Sequence, residues 1–201
     1  MKLAAKTAIF VIITISLLLG CAHQNTGVLP PVSLPNEIFS IPGTNSYGTA
    51  RVGLFAFAGP DYARDMGPIA SQILCNKLQK TRAFRDVIYQ PAIPNMTIGN
   101  LINVARIKRY DLIITGKLLH YFEGSALEAS SVIEEIRVIR VRGGKPRILW
   151  HAKASETGFP VPSKDFIFFL SEGKPAPSPD TLMRINAEKF CKMILTLPPR
   201  E

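Results

Sequence analysis

The sequence predicts an α/β fold of the α+β kind, and three observations support this prediction. Between residues 51 and 122, short apolar segments alternate with segments whose apolar residues recur every three or four positions, in the order strand, helix, strand, helix, strand. From residue 132, charged and apolar residues alternate around a Gly-Gly turn, and a final helical segment begins near residue 179. We therefore expect a βαβαβ start, an antiparallel β-hairpin and a C-terminal helix, packed as a three-layer or two-layer sandwich.

Each element of the βαβαβ start has its own signal. Residues 51–57 (RVGLFAF) are apolar on both faces, which is typical of a central strand, and apolar residues at helical spacing predict a helix over residues 65–80. Residues 84–89 form a second predicted strand. Thr97 is the expected N-cap of the next helix, because its hydroxyl can accept a hydrogen bond from a first-turn N–H. Residues 110–122 (YDLIITGKLLHYF) predict a long third strand.

The second half of the chain is predicted to be antiparallel and then helical. Residues 132–142 and 147–154 flank a Gly-Gly-Lys-Pro turn, so they predict a hairpin with one face in water. The apolar segment FIFFL at residues 166–170 either packs under the sheet or forms a partner-facing patch. Ser178-Pro179-Asp180 opens the last helix, and two prolines close it.

The amino terminus has the three parts of an export signal. Lys2 and Lys6 form a positive segment, residues 8–19 form an apolar segment too short to span a bilayer as a stable helix, and the tetrapeptide LLGC follows. This tetrapeptide resembles the lipobox of bacterial lipoprotein precursors, which implies cleavage between Gly20 and Cys21. It also implies a diacylglyceryl thioether and an N-acyl chain on Cys21. The alternative is an uncleaved amphiphilic helix that ends at a chance cysteine.

Lipidation would divide the chain into three parts. Residues 1–20 are then the signal peptide that is removed, residues 21–48 are a lipidated cysteine with a flexible Pro-rich tether, and residues 49–201 are a single periplasmic α/β domain. Ala22, in place of aspartate, resembles the sorting pattern of lipoproteins sent to the outer membrane in enteric bacteria. We therefore expect a lipid anchor in the outer membrane, at its periplasmic face.

The net charge leaves two explanations open. The precursor has a formal charge of +9, which becomes +7 when Lys2 and Lys6 leave with the signal. The basic residues are not interleaved with aromatic residues in the manner of single-strand nucleic-acid-binding proteins, so we expect no nucleic-acid partner. The positive charge is either a solvated surface or a contact for an anionic component of the envelope.

Cys75 and Cys191 also allow two arrangements. Both lie beside apolar residues of predicted helices, so two separate buried thiols are one arrangement. If the last helix packs beside the first on one sheet face, the two Cα atoms come within the ~4.4–6.8 Å that a disulfide needs. An oxidising compartment would allow that bond.

Two segments of the domain resemble a known superfamily of envelope lipoproteins. The segment YDLIITGKL at residues 110–118 and the hairpin that ends in Leu149-Trp150 follow a first strand at residues 51–57, a lipobox and a Pro-rich tether. The combination resembles the superfamily that contains the curli-secretion channel lipoprotein and the lipoprotein activators of penicillin-binding proteins. The resemblance covers residues 51–155. It implies a periplasmic α/β domain with an accessory, regulatory or assembly role for another envelope component.

The sequence carries no motif for catalysis or metal binding. It has no His-x-x-x-His pair, no cysteine pair at metal-ligand spacing and no Gly-x-Ser-x-Gly elbow. Glu134 and Glu135 are neighbours on a predicted strand, so they point to opposite faces and have the wrong geometry for an acid–base pair. We expect no enzyme activity, no metal and no cofactor beyond the acyl chains on Cys21.

Three functional hypotheses follow. The first is docking on another envelope protein, or on wall polymer, through basic residues on the wet face of the hairpin, namely Arg137, Arg140, Arg142 and Lys145. The second is binding of a small ligand or a cell-wall polymer in a mouth at the carboxyl ends of the strands, next to Phe57, Tyr89 and Phe122. The third is a homo-oligomeric subunit of a secretion channel.

Replacing Cys21 tests the lipoprotein hypothesis. The thiol is the acyl acceptor, so Cys21→Ala is expected to leave an uncleaved precursor held in the membrane by its apolar segment. Intact-mass spectrometry of the membrane fraction would detect both the retained signal and the missing acyl chains. Cys75→Ala is the control and should be processed normally. Normal cleavage and acylation of Cys21→Ala would refute the hypothesis.

Overall fold

The computed structural model describes residues 31–33, 37–40, 47–91, 97–166 and 169–196. The predictions for the signal peptide, for Cys21 and for most of the tether lie outside these residues. In chain order the elements are β1 (Val32–Ser33), β2 (Glu37–Ser40), β3 (Arg51–Phe55), α1 (Met66–Thr81), β4 (Asp86–Gln90), α2 (Ile98–Ile107), β5 (Leu112–Phe122), β6 (Ser130–Arg140), β7 (Arg147–Gly158), β8 (Lys164–Phe166), β9 (Phe169–Ser171) and α3 (Pro179–Thr196).

The main sheet joins a parallel part to an antiparallel part. Its strand order is β1-β7-β6-β5-β3-β4, with β2 also paired to β7, and β8 and β9 form a separate hairpin. Strands β3, β4 and β5 are parallel, whereas β5, β6 and β7 are antiparallel. We call the end at which β3, β4 and β5 finish the upper end, and the end at which they begin the lower end. The β6–β7 turn therefore lies at the lower end.

Helices cover both faces of the sheet, so the predicted α+β sandwich is confirmed with three layers. Helices α1 and α3 share the larger core cluster with one face, where Leu54, Leu118 and Ile136 are buried. Helix α2 covers the other face, in a smaller cluster that contains Phe55 and Ile113. Both faces of β3 are thus buried, as its continuous apolar sequence predicts. Among the described helices, none is long and apolar enough to cross a bilayer.

Local signals place the helices within one residue of their predicted starts. The side chain of Thr97 accepts a hydrogen bond from the backbone N–H of Asn100 at 3.3 Å, which confirms the predicted N-cap of α2. Strand β5 begins at Leu112, two residues later than predicted. The reason is that Arg109 takes a left-handed conformation with φ of 57°, which turns the chain from α2 into the strand.

The amino-terminal segment is more ordered than the sequence predicts. Strands β1 and β2 fall inside the predicted tether, yet both pair antiparallel with β7, with Val32 opposite Thr157 and Glu37 opposite Lys153. Without them, the outer edge of β7 would expose unpaired backbone groups. The chain therefore enters the domain at the upper end and runs down the edge of β7 before β3 begins.

A close approach between β3 and the start of β5 requires glycine at position 53. A Cβ atom on Gly53 would lie 2.4 Å from a ring carbon of Tyr110. That ring is buried, and its hydroxyl accepts a hydrogen bond from the side-chain amide of Gln90 at 2.9 Å. The guanidinium of Arg51 lies 5.5 Å from the ring centre. Tyr110 therefore has little room to move away from a larger residue.

Gly53→Ala is expected to lower the free energy of unfolding by about 1–3 kcal/mol, because the Tyr110 ring must shift from its packed position. Gly99→Ala is the control, since its new Cβ would lie 3.8 Å from its nearest neighbouring atom and the position is exposed in α2. The control should be neutral or slightly stabilising, by about 0.5–1 kcal/mol. Urea denaturation of both variants measures the effect. Equal stability of the two variants would contradict this account.

Candidate functional site

A cleft of about 650 Å³ opens at the upper end, between the end of β3 and the first turns of α1 and α2. Phe57, Pro68, Ile98 and Leu101 contribute its apolar wall, and Arg64, Asp65, Lys117, Glu135 and Arg137 are its charged residues. The ligand-binding hypothesis predicts a binding cleft at this end of the strands, and Phe57 lines the observed cleft. Tyr89 and Phe122 are not among its lining residues.

The charged floor of the cleft comes from β5 and β6, and residues of β7 contact it from the side. Glu135 faces Lys117 on β5 and Lys153 on β7 across the sheet. Its carboxylate accepts a hydrogen bond from Arg137 at 2.8 Å and lies 2.9 Å from Nε2 of His151. These contacts hold the carboxylate in place, so the floor can position a polar ligand through its cations.

The four basic residues predicted to dock a partner do not share a surface. Arg137 lines the cleft and is half-buried, whereas Arg142 and Lys145 lie at the lower end, where the side chain of Arg142 is exposed. Positions three apart in a strand point to opposite faces, so Arg137 and Arg140 cannot form one wet face. The four residues therefore do not share one wet face of the hairpin, and their role in docking a partner stays a prediction.

The lower end instead brings the hairpin turn next to the start of β3. One carboxylate oxygen of Asp111 accepts the backbone N–H of Arg51 at 2.9 Å, and the other accepts the guanidinium of Arg142 at 3.1 Å. Arg82 and Arg85, after α1, lie at the same end. Sequence reasoning missed this group, although the signal was available: the amino ends of parallel strands meet at one edge.

The two core cysteines are free thiols in the structure. Cys75 on α1 and Cys191 on α3 are both buried in the larger core cluster. Burial raises the pKa of Cys191 to about 11, and burial also raises the pKa of Cys75. Helices α1 and α3 do pack on the same face, which was the condition for a disulfide, but no bond joins the two thiols, so the arrangement in the structure is that of two separate buried thiols.

Polar side chains are buried between α3 and the antiparallel strands. Glu134 on β6 is 2% exposed and lies near Asn186 of α3, while Glu156 on β7 is fully buried in an ion pair with Lys189. Burial raises the pKa of Glu134 to about 8, and the Asn186 side chain opposes this shift. Glu134 and Glu135 thus point to opposite faces, as predicted.

Histidines in the described part of the chain belong to hydrogen-bonded networks. Nε2 of His120 lies 2.9 Å from the hydroxyl of Ser131, and its Nδ1 lies 3.3 Å from the hydroxyl of Tyr62. His151 contacts Glu135, and β6 separates it from His120. Within the described residues, no group of three or more His, Cys, Asp or Glu side chains is placed to hold a metal ion.

The fold is a three-layer sandwich with an extended antiparallel part, and it is shared with solved structures. No protein-family model matches the chain, and no curated protein matches it. A dodecamer of a PelC variant from Paraburkholderia phytofirmans matches with a TM-score of 0.57 and 17% identity over 83% of this chain and 100% of that chain. A second PelC dodecamer structure from the same organism gives a TM-score of 0.54 with the same identity and coverage.

A lipoprotein is also among the similar structures. Lipoprotein GNA1162 from Neisseria meningitidis matches at 16% identity over 73% of this chain and 98% of that chain, with a TM-score of 0.41. At these identities, the PelC comparisons establish a common fold. They leave the activity to be argued from the residues of this chain.

The buried carboxyl of Glu134 should make stability depend on pH. Because its folded-state pKa is about 8 and its ordinary value is 4.5, the folded chain holds the proton more tightly. The free energy of unfolding should therefore fall as the pH rises from about 4.5 to about 8, by up to ~1.4 kcal/mol per pH unit from this group.

Glu134→Gln should remove this contribution, so its stability relative to the native chain should rise between pH 5 and pH 8. Denaturant titrations at three pH values in that window measure the change. Glu128→Gln, in an exposed loop, is the matched control and should follow the native chain. If Glu134→Gln shows the same pH dependence as the native chain, Glu134 is not the titrating group.

Proposed function

We propose that this protein is a lipid-anchored lipoprotein of the outer membrane, facing the periplasm, and that it works as a homo-oligomeric, non-catalytic accessory or assembly factor for another envelope component. The observation that carries the proposal is the combination of a lipobox at Cys21 with a fold shared with a protein that assembles as a dodecamer. Membership of the lipoprotein superfamily that the sequence resembles is part of the same proposal.

The upper end offers a surface for contact between copies. Tyr62 is 67% exposed, Phe122 is 42% exposed and Leu127 is 91% exposed. Tyr62 is fixed against the end of β5, because the backbone N–H of Tyr121 donates a hydrogen bond to its hydroxyl at 3.2 Å. Apolar side chains held at one end of a sheet favour burial against another protein surface. We name this group the upper apolar patch.

The proposed anchor would keep this patch near the membrane. Val32 pairs with Thr157 at the upper end, and Cys21 lies only eleven positions before it in the chain. A subunit anchored at its upper end shares a common orientation with its neighbours. Copies of the chain would therefore meet with their patches at the same height above the bilayer.

Two observations bear on catalysis and ligand binding. Of the two carboxylates that line the cleft, those of Asp65 and Glu135, the latter is held by Arg137 and His151, which supports a structural role for it over a role as a general base. The 650 Å³ cleft favours ligand or polymer binding as the second candidate function. A subunit of a secretion channel is one particular kind of homo-oligomer, so the third hypothesis is included in this proposal.

Native mass spectrometry of the full-length protein, extracted in detergent, tests the proposal. We expect a complex of several copies, and Leu127→Asp combined with Phe122→Asp should reduce it to monomers by burying charge at the contact. Ile107→Asp is the matched control, because Ile107 is 81% exposed but lies at the end of α2, away from the patch. A monomeric native protein would overturn the oligomer. Dissociation by the control alone would overturn the choice of surface.

A further inference from the structure

The topology collects cationic side chains from several elements and their connections at the lower end. They come from the start of β3, the segments after α1 and α2, the end of β6, the β6–β7 turn and the start of β7. The set is Arg51, Arg82, Arg85, Arg109, Arg140, Arg142, Lys145 and Arg147, which we name the lower basic end. The carboxylates at the same strand ends are those of Asp86 and Asp111. A dense group of positive charges is therefore concentrated at one end of the domain.

Two open clefts cross this surface and share Arg85. The first, of about 700 Å³, also contains Arg51 and Arg82, and the second, of about 520 Å³, also contains Arg140 and Arg142. The carboxylates are already engaged, since Asp86 pairs with Arg85 and Asp111 pairs with Arg142. The cations in both clefts therefore outnumber the carboxylates that could neutralise them.

The composition of the clefts favours an extended anionic chain over a folded protein partner. Guanidinium groups bind carboxylates and phosphates through two parallel hydrogen bonds, and all the cations of the set except Lys145 are arginine. Among the large apolar side chains at the clefts, Phe84, Val87 and Leu112 are at most 7% exposed and only Ile88 and Tyr47 are half-buried, so the clefts offer little apolar surface to anchor a protein interface. A chain of repeated negative groups could pass Arg85 from one cleft into the other.

The path of the chain disfavours the anchoring membrane as the partner, and this step depends on the lipid anchor proposed above. Strand β7 spans ~36–40 Å from the lower end to the upper end, where Val32 is attached. The segment from Cys21 to Val32 reaches at most ~36–40 Å when fully extended. Turning the lower end onto the bilayer would need a fully stretched segment, which opposes its conformational entropy.

We propose that the lower basic end is a binding surface for an extended anionic polymer, a carboxylated or phosphorylated polysaccharide, on the side of the domain that faces away from the anchoring membrane. The two clefts hold successive negative groups, and Arg85 between them contacts both. Binding of this kind weakens as salt rises, because its main contribution is between exposed charges.

The test measures binding of the full-length protein, in neutral detergent, to immobilised polygalacturonate and to long-chain polyphosphate at low salt and at a severalfold higher salt concentration. The carboxylate and phosphate arms identify which anion is preferred, and neutral dextran is the blank. The test variant combines Arg82→Glu, Arg85→Glu, Arg142→Glu and Lys145→Glu. The control combines Lys77→Glu, Lys174→Glu, Arg184→Glu and Lys192→Glu, which lie on α1, on the loop before α3 and on α3, line neither the lower clefts nor the upper cleft, and give the same net charge.

We expect the native chain to bind at least one polymer and the test variant to lose at least about tenfold in affinity. The control should lose less than about threefold, because salt screens charges that lie far from the binding surface. Equal losses would attribute binding to net charge and overturn the site, as would absence of binding to both polymers. Stronger binding to acidic lipid vesicles than to either polymer would favour the membrane and also overturn it. Native mass of the same samples reports the oligomer separately. If the fourfold variant does not fold, Arg82→Glu with Lys145→Glu carries the same comparison.

Discussion

Strand β5 is the element on which the rest of the fold depends, because among the described strands it alone pairs on one side in parallel and on the other side in antiparallel fashion. Leu112, Ile113 and Ile114 pair with β3 and with β6 at once. Their side chains are fully or nearly fully buried, since helices cover both faces there. Beyond Ile114 the strand pairs mainly with β6. There the antiparallel part of the sheet extends beyond the region that α2 covers.

This division explains how much the sequence could predict. The buried run at Ile113 and Ile114 and the cap at Thr97 depend on residues close together in the chain, so pattern and propensity locate them. The strands β1 and β2 depend on the free edge of β7, more than a hundred residues away, and no local pattern indicates that edge. The same applies to Glu134, whose burial follows from where α3 packs.

The grouping of charged residues shows the same limit. Arg137 and Arg142 are close in sequence, but the strand carries them to a cleft and to the lower end respectively. Arg82 and Arg142 are far apart in the chain, yet strand direction brings their segments to one end of the sheet. Charge patterns along a chain thus describe a surface only after the topology is known.

The sequence pattern also gave no indication of the ion pair between Glu156 and Lys189. This pair fixes α3 against β7 in one alignment.

The pairing of β1 and β2 with β7 also has a mechanical consequence. The amino-terminal end of the chain leaves the domain at the upper end, in the direction in which β7 points, so tension on an anchor there acts along the strands. Hydrogen bonds pulled along the strand direction share the load and must break together, whereas bonds pulled sideways would open one at a time. Under the proposed lipid anchor, a domain pulled away from the membrane would therefore resist through this short ladder, loaded in shear, before any of the parallel core is strained.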